Sequence, residues 1–197
     1  AAIGMADALA DAGVSITDVL ALFDGPYAAA LIARPNDPTP ALNSRVDVLF
    51  AAPVSDGPAA IAALTAAIDL VVGEGLFSDE RVEGVATRTI AMEGEPVIRM
   101  GLDDDVLLVG TGRAVDQALR AQQGDNQLIA QPRWELVSGP LGLETAPNVY
   151  VDLAAFYSVF QPGPGGASPV EFATLGMASR TAGEGFYAID IVMHLEQ

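Results

Sequence analysis

The sequence predicts an α+β fold: an antiparallel sheet built from strand–strand–helix units, with helices packed on one face. Three observations lead there. Apolar and polar residues alternate over short segments, as in Pro96 to Leu102, where Ile98, Met100 and Leu102 share one face and Val97 and Arg99 the other. The mid-chain connections Glu93-Gly94-Glu95 and Asp103-Asp104-Asp105 are too short for a parallel crossover, which needs a dozen residues or more. Alanine-rich stretches with helix-type punctuation separate the strand runs. At 197 residues without a cysteine, the chain is long enough to hold a core without disulfides.

The elements follow in order. Ile3 to Ala12 reads as a helix stopped by Gly13. Ser15 caps a second short helix through Phe23, with Asp18 in its first turn and Gly25 past its end. Pro26 to Ala33 and Arg45 to Ala52 read as strands, joined by the proline-rich loop Pro35 to Pro40. Gly57-Pro58 opens an alanine-rich helix to about Val72, because proline suits a first turn whose N–H groups lack partners; Gly73 and Gly75 end it. Val82 to Met92, Pro96 to Leu102 and Val106 to Gly110 read as three strands, and Arg113 to Gln122 as a helix. Asn126 to Thr145 is irregular with short helical turns. Asn148 to Val151 reads as a strand, Leu153 to Phe160 as a helix and Gln161 to Pro169 as a loop. Leu175 to Thr181 and Phe186 to Leu195 close the chain as a hairpin. Asp47-Val48-Leu49-Phe50 and Asp105-Val106-Leu107-Leu108 echo one another, each leading through a glycine turn into a helix. The expectation is one domain over 1–197, with quasi-repeated halves of about 1–80 and 81–197, cut from a longer protein.

Composition narrows the function. The chain has 26 acidic residues against nine arginines, no lysine, and a net charge of −17. Such a surface repels phosphate backbones, so nucleic acid is set aside as a partner. The longest apolar stretch, Ala59 to Val72, is interrupted by Thr65 and Asp69 and is too short to span a bilayer. Membrane contact is expected only through an anchor outside this chain. Most acid–base and nucleophilic chemistry at neutral pH uses His, Cys or Lys, and the one such residue here is His194.

The candidate motifs carry little chemistry. Gly110-Thr111-Gly112 stands where a phosphate-binding turn would, but Val115 replaces the third glycine, no Lys follows, and the preceding strand is antiparallel. Asp103 to Asp105 lacks the alternating ligands, glycine and distal glutamate of a calcium loop and reads as a solvated turn. His194 alternates onto one face with Asp190, Val192 and Glu196, a solvent-facing ladder, leaving Ile189, Ile191, Met193 and Leu195 toward the core. Trp134, beside Arg133, reads as a core plug under a loop. No catalytic, cofactor-binding or metal-binding residue is assigned, and no cofactor is expected.

Three segments together, ITDVLALFDGPYAAAL, GLDDDVLLVGTGRAVDQAL and NVYVDLAAFYSV with the final hairpin, resemble an uncharacterised family of bacterial cell-envelope proteins that carry an N-terminal signal or membrane anchor. The resemblance implies the C-terminal part of such a protein, located outside the cytoplasm at the cell envelope or surface. It transfers no catalytic residue. The leading expectation is therefore a non-enzymatic, extracytoplasmic domain for assembly or interaction, with other envelope proteins or copies of itself as partners. Long apolar Phe186–Leu195 and the strand after Pro26 are its expected edges for strand addition. One alternative is a carrier of lipid or another apolar ligand, in a cavity lined by Ile98, Met100, Leu102, Ile189 and Ile191. Another is a carboxylate-based hydrolase.

Overall fold

Two antiparallel sheets organise the residues described by the computed structural model, which are 27–34, 45–124, 132–141, 149–152, 172–183 and 186–195. The expected helices Ile3–Ala12, Ser15–Phe23 and Leu153–Phe160 and the loops Pro35–Pro40 and Gln161–Pro169 lie outside the described residues. The chain divides into two compact units that change over between Arg120 and Ala121, with the first strand joining unit one as far as Ile32.

Unit one contains strands β1 (Ala28–Ala33), β2 (Val46–Pro53), β3 (Ser78–Val82), β4 (Val85–Met92), β5 (Glu95–Asp103) and β6 (Val106–Thr111), in the order β1-β2-β6-β5-β4-β3. Helix α1 (Gly57–Val72) follows β2, and helix α2 (Ala114–Gln122) follows β6. The route is economical. A 16-residue helix is ~24 Å long, enough to cross the four strand spacings of ~4.8 Å between β2 and β3. The chain then steps back strand by strand until β6 pairs with β2, Leu49 opposite Gly110 and Pro53 opposite Val106. The echoing segments around Asp47 and Asp105 are thus adjacent strands of one sheet.

Three two-residue turns make the meander. Glu83-Gly84 and Glu93-Gly94 have positive φ at both positions (49° and 87°, 54° and 83°), the tight geometry whose twist matches paired strands. Asp104 turns the third at φ 50°, with Asp104 and Asp105 exposed as the solvated-turn expectation requires. The continuous strand expected over Val82 to Met92 is a correction. Glu83-Gly84 folds it into the β3–β4 hairpin, Val82 opposite Val85. These turns also leave no room for a helix between β3 and β6, so among the described residues the strand–strand–helix order occurs as β1–β2–α1, and four strands precede α2.

The helices lie on opposite faces of the sheet, not on one. Leu107 and Val109 of β6 pack with Ala60, Ile61 and Leu64 of α1. The alternate residues Val106 and Leu108 pack with Val115, Ala118 and Leu119 of α2. A strand covered on both sides has no polar face to show, which is why β6 reads Val-Leu-Leu-Val. Helix α1 starts where the Asp56 side chain accepts the Ala59 N–H at 3.0 Å. It sits so close to β5 that a Cβ on Gly57 would fall 2.1 Å from Leu102 Cδ2.

Unit two contains β7 (Val149–Asp152), β8 (Phe172–Gly183) and β9 (Phe186–Leu195), in that order, and helix α3 (Pro132–Ser138). Gly176 lets α3 approach, since a Cβ there would lie 2.8 Å from Val137 Cβ. Thr174, Gly176 and Ala178 are buried on this face with Val137. Trp134 is buried against Tyr150, ring centroids 5.4 Å apart, as the core-plug expectation held.

Here the expected facing of β9 is reversed. His194, Val192 and Asp190 pair with Thr174, Gly176 and Ala178, so they share the α3 face. Ile191 and Met193, expected in the core, are 59% and 49% exposed. Alternation alone assigns two faces but not which one a helix covers, and Gly176 and Ala178 make the smaller, closer seat.

Candidate functional site

Among the described residues, three groups of chemistry-bearing side chains stand out. The largest is centred on Arg99 of β5, which is 6% exposed. Its Nε donates to Thr89 Oγ1 at 3.0 Å, one terminal nitrogen donates to Glu80 Oε2 at 2.7 Å, and the other to Asp116 Oδ1 of α2. Thr89 Oγ1 in turn donates to Glu80 Oε2 at 3.2 Å. Four elements, β3, β4, β5 and α2, therefore meet at one guanidinium. Sequence reasoning missed this cluster because its other members lie 10 to 19 residues from Arg99 on different elements. The available signal was an arginine at an inward-alternating position of an otherwise apolar strand.

A glycosidase acid must keep its proton and aim it at a substrate oxygen. Glu80 and Asp116 are instead both acceptors from a permanently charged group.

The second group is the Gly110-Thr111-Gly112 turn. Asp47 of β2, fully buried, accepts the Arg113 N–H through Oδ2 at 3.1 Å. Gly112 has φ +54°, and a Cβ there would fall 2.2 Å from Asp47 Oδ1. Thr111 Oγ1 accepts the Val48 N–H at 2.9 Å. A protein carboxylate therefore stands where the α2 N-terminus would receive a phosphate, and it repels one. The turn is a structural lock between β2 and α2, in keeping with the sequence expectation of a tight turn.

The third group is His194. Asp190 is four residues away on the same strand, ~13 Å at strand rise, too far to share a metal whose ligand distances are ~2.0–2.6 Å. Glu196 lies outside the described residues. Among the described residues no cluster of three His, Asp or Glu side chains could hold a metal ion. The five residues expected to line an apolar cavity do not share a sheet. Ile98, Met100 and Leu102 lie on the α1 face of the first sheet, Met100 fully buried, whereas Ile189 and Ile191 stand in β9.

The strands that end each sheet are a further candidate surface among the described residues. β1 ends the first sheet on one side and β3 on the other, and β9 ends the second. β1 and β9 are the strands expected at edges from the sequence. β3 carries Asp79, Glu80 and Arg81 within five residues, with Asp79 3.3 Å from Arg88. β1 reads Ala-Ala-Ala-Leu-Ile-Ala, without a charge. Ala28 to Leu31 are exposed, Leu31 at 67%. Tyr27, just before it, stacks on Phe50 of β2 with centroids 5.8 Å apart.

Comparison with family models, with curated proteins and with solved structures finds no match for this chain. No described helix is long and apolar enough to cross a membrane.

Proposed function

We propose that this chain is a non-enzymatic interaction domain of a bacterial cell-envelope protein, working outside the cytoplasm. One contrast supports it most directly. The buried charged groups Arg99 and Asp47 are spent on holding the fold, while an uncharged strand edge stands exposed. Work done by such a molecule comes from its surface. The acidic composition suits a solvated extracellular surface, and the envelope location rests on the resemblance of its three segments.

The test has two parts. Purified chain incubated with esters, glycosides, peptides and phosphate esters should give no turnover above blank; sustained turnover of any of them sinks the proposal. Fractionation of the source cells should recover the protein with the envelope or the medium, and recovery in the cytoplasm alone removes the location.

A second use of the surface has its own support. The face of the second sheet away from α3 carries Val151, Leu175, Met177, Ile191 and Met193, with Ile191 and Met193 about half exposed. An apolar ligand or lipid tail would suit it. Native mass spectrometry after gentle purification distinguishes this use by an added mass of a few hundred daltons.

A further inference from the structure

We infer that β1 is a self-pairing edge: two copies of the chain join their six-stranded sheets through antiparallel β1–β1 contact about a two-fold axis at Ala30. This names the partner within the interaction-domain proposal and rests on it.

Charge selects the partner. With −17 on each copy, most surfaces of this molecule repel a second one. From Tyr27 to Ala33 there is no charged residue, so β1 is a place where two copies meet without opposing carboxylates. The other edge of the same sheet, β3, carries three charged residues in five, Asp79, Glu80 and Arg81. Edges that proteins protect from pairing carry such charges; β1 carries none, and its residues Ala28 to Leu31 are exposed.

Register selects the geometry. In an antiparallel ladder hydrogen-bonded and non-hydrogen-bonded pairs alternate. A two-fold axis perpendicular to the sheet must therefore pass through a residue paired with itself. Centred on Ala30, the pairs are Ala30 with Ala30, Ala29 with Leu31, and Ala28 with Ile32. Each branched side chain then meets an alanine, so neither face of the joint is overfilled. The exposed Leu31, at 67%, gains cover from the partner's Ala29, which removes apolar surface from water.

The chain has no cysteine, which makes the test specific. Opposed strand residues have Cα atoms ~4.5 or ~5.5 Å apart, within the span of a disulfide. Ala30→Cys should therefore cross-link to a covalent dimer under mild oxidation. Ala28→Cys should not, because its twin lies ~13 Å along the strand. Unmodified chain should elute at twice its own mass at micromolar concentration, with more dimer at high salt, where the acidic surfaces are screened. Ala30→Asp should be monomeric with an unchanged far-UV dichroism spectrum. A chain that stays monomeric in low and high salt overturns self-pairing, as does equal cross-linking of both cysteine variants, or a native mass of one copy plus a foreign peptide. None of these outcomes bears on the turnover test, so loss of self-pairing and loss of the non-enzymatic proposal are read separately.

Discussion

The two faces of the six-stranded sheet are held by different physics. The α1 face is mainly apolar and fine-grained: Leu107, Met100, Ala60 and Val54 fill it, Gly57 brings the helix backbone onto Leu102, and Arg88 of β4 donates to Thr65 Oγ1 of α1 at 2.8 Å. The α2 face mixes an apolar cluster around Leu108, Val115 and Leu119 with two buried charged locks, Arg99 and Asp47. One side is secured by area removed from water. The other adds directional bonds that fix which strand lies beside which helix. A buried ion cluster is a weak source of net stability, because desolvation offsets attraction. It is costly to break, however, since Asp116, with a side chain only 19% exposed, would lose its cation.

The contrast can be broken or sharpened by substitution. The largest effect is expected for Arg99→Met, which strands Asp116 and Glu80 facing an apolar side chain. Chemical denaturation should show a loss of about 4 kcal/mol, and a loss below about 1 kcal/mol would mean the cluster is not a lock. Leu107→Ala, on the opposite face, should cost about 3 kcal/mol from lost burial and the cavity left. Its cost should be the same in low and high salt, and a marked salt dependence would contradict apolar packing around Leu107. Asp47→Ala removes the acceptor for the Arg113 N–H and should cost about 2 kcal/mol, read as a fall in thermal midpoint. Glu80→Gln is expected to be mildest, within about 1 kcal/mol, because that side chain is 40% exposed. Its effect should shrink further as salt rises, and an effect equal to that of Arg99→Met would place the whole cluster in the interior.

Much of the strand plan was legible because each strand is bounded by turn residues and alternates. β2, β5, β6 and β9 fall within a residue or two of their expected spans. The Glu83-Gly84 turn was hidden because valines flank it and the run keeps its β-branched character through Thr87 and Thr89. Helix placement was not legible at all. β6 is apolar at consecutive positions, and a run of that kind does not say that one helix takes its odd residues and another its even ones. His194 shows the same limit: its companions on the face were right, and the side that α3 covers was not. The Arg99 cluster depends on two chain reversals that bring β3, β4 and β5 side by side, and on a third that leads through β6 to α2, so it existed only once the topology did.

The order of strands in the first sheet has a kinetic consequence. β3 to β6 are stitched by two-residue reversals, so their pairing closes only minimal loops. β2 meets β6 across sequence gaps of 53 to 61 residues, with far larger entropy to overcome. Refolding should therefore assemble residues 78–111 as an early nucleus and recruit β2 afterwards. Pulse-labelling by hydrogen exchange would show Ile98 and Thr89 amides shielded before Leu49, and simultaneous shielding would point to a single concerted collapse.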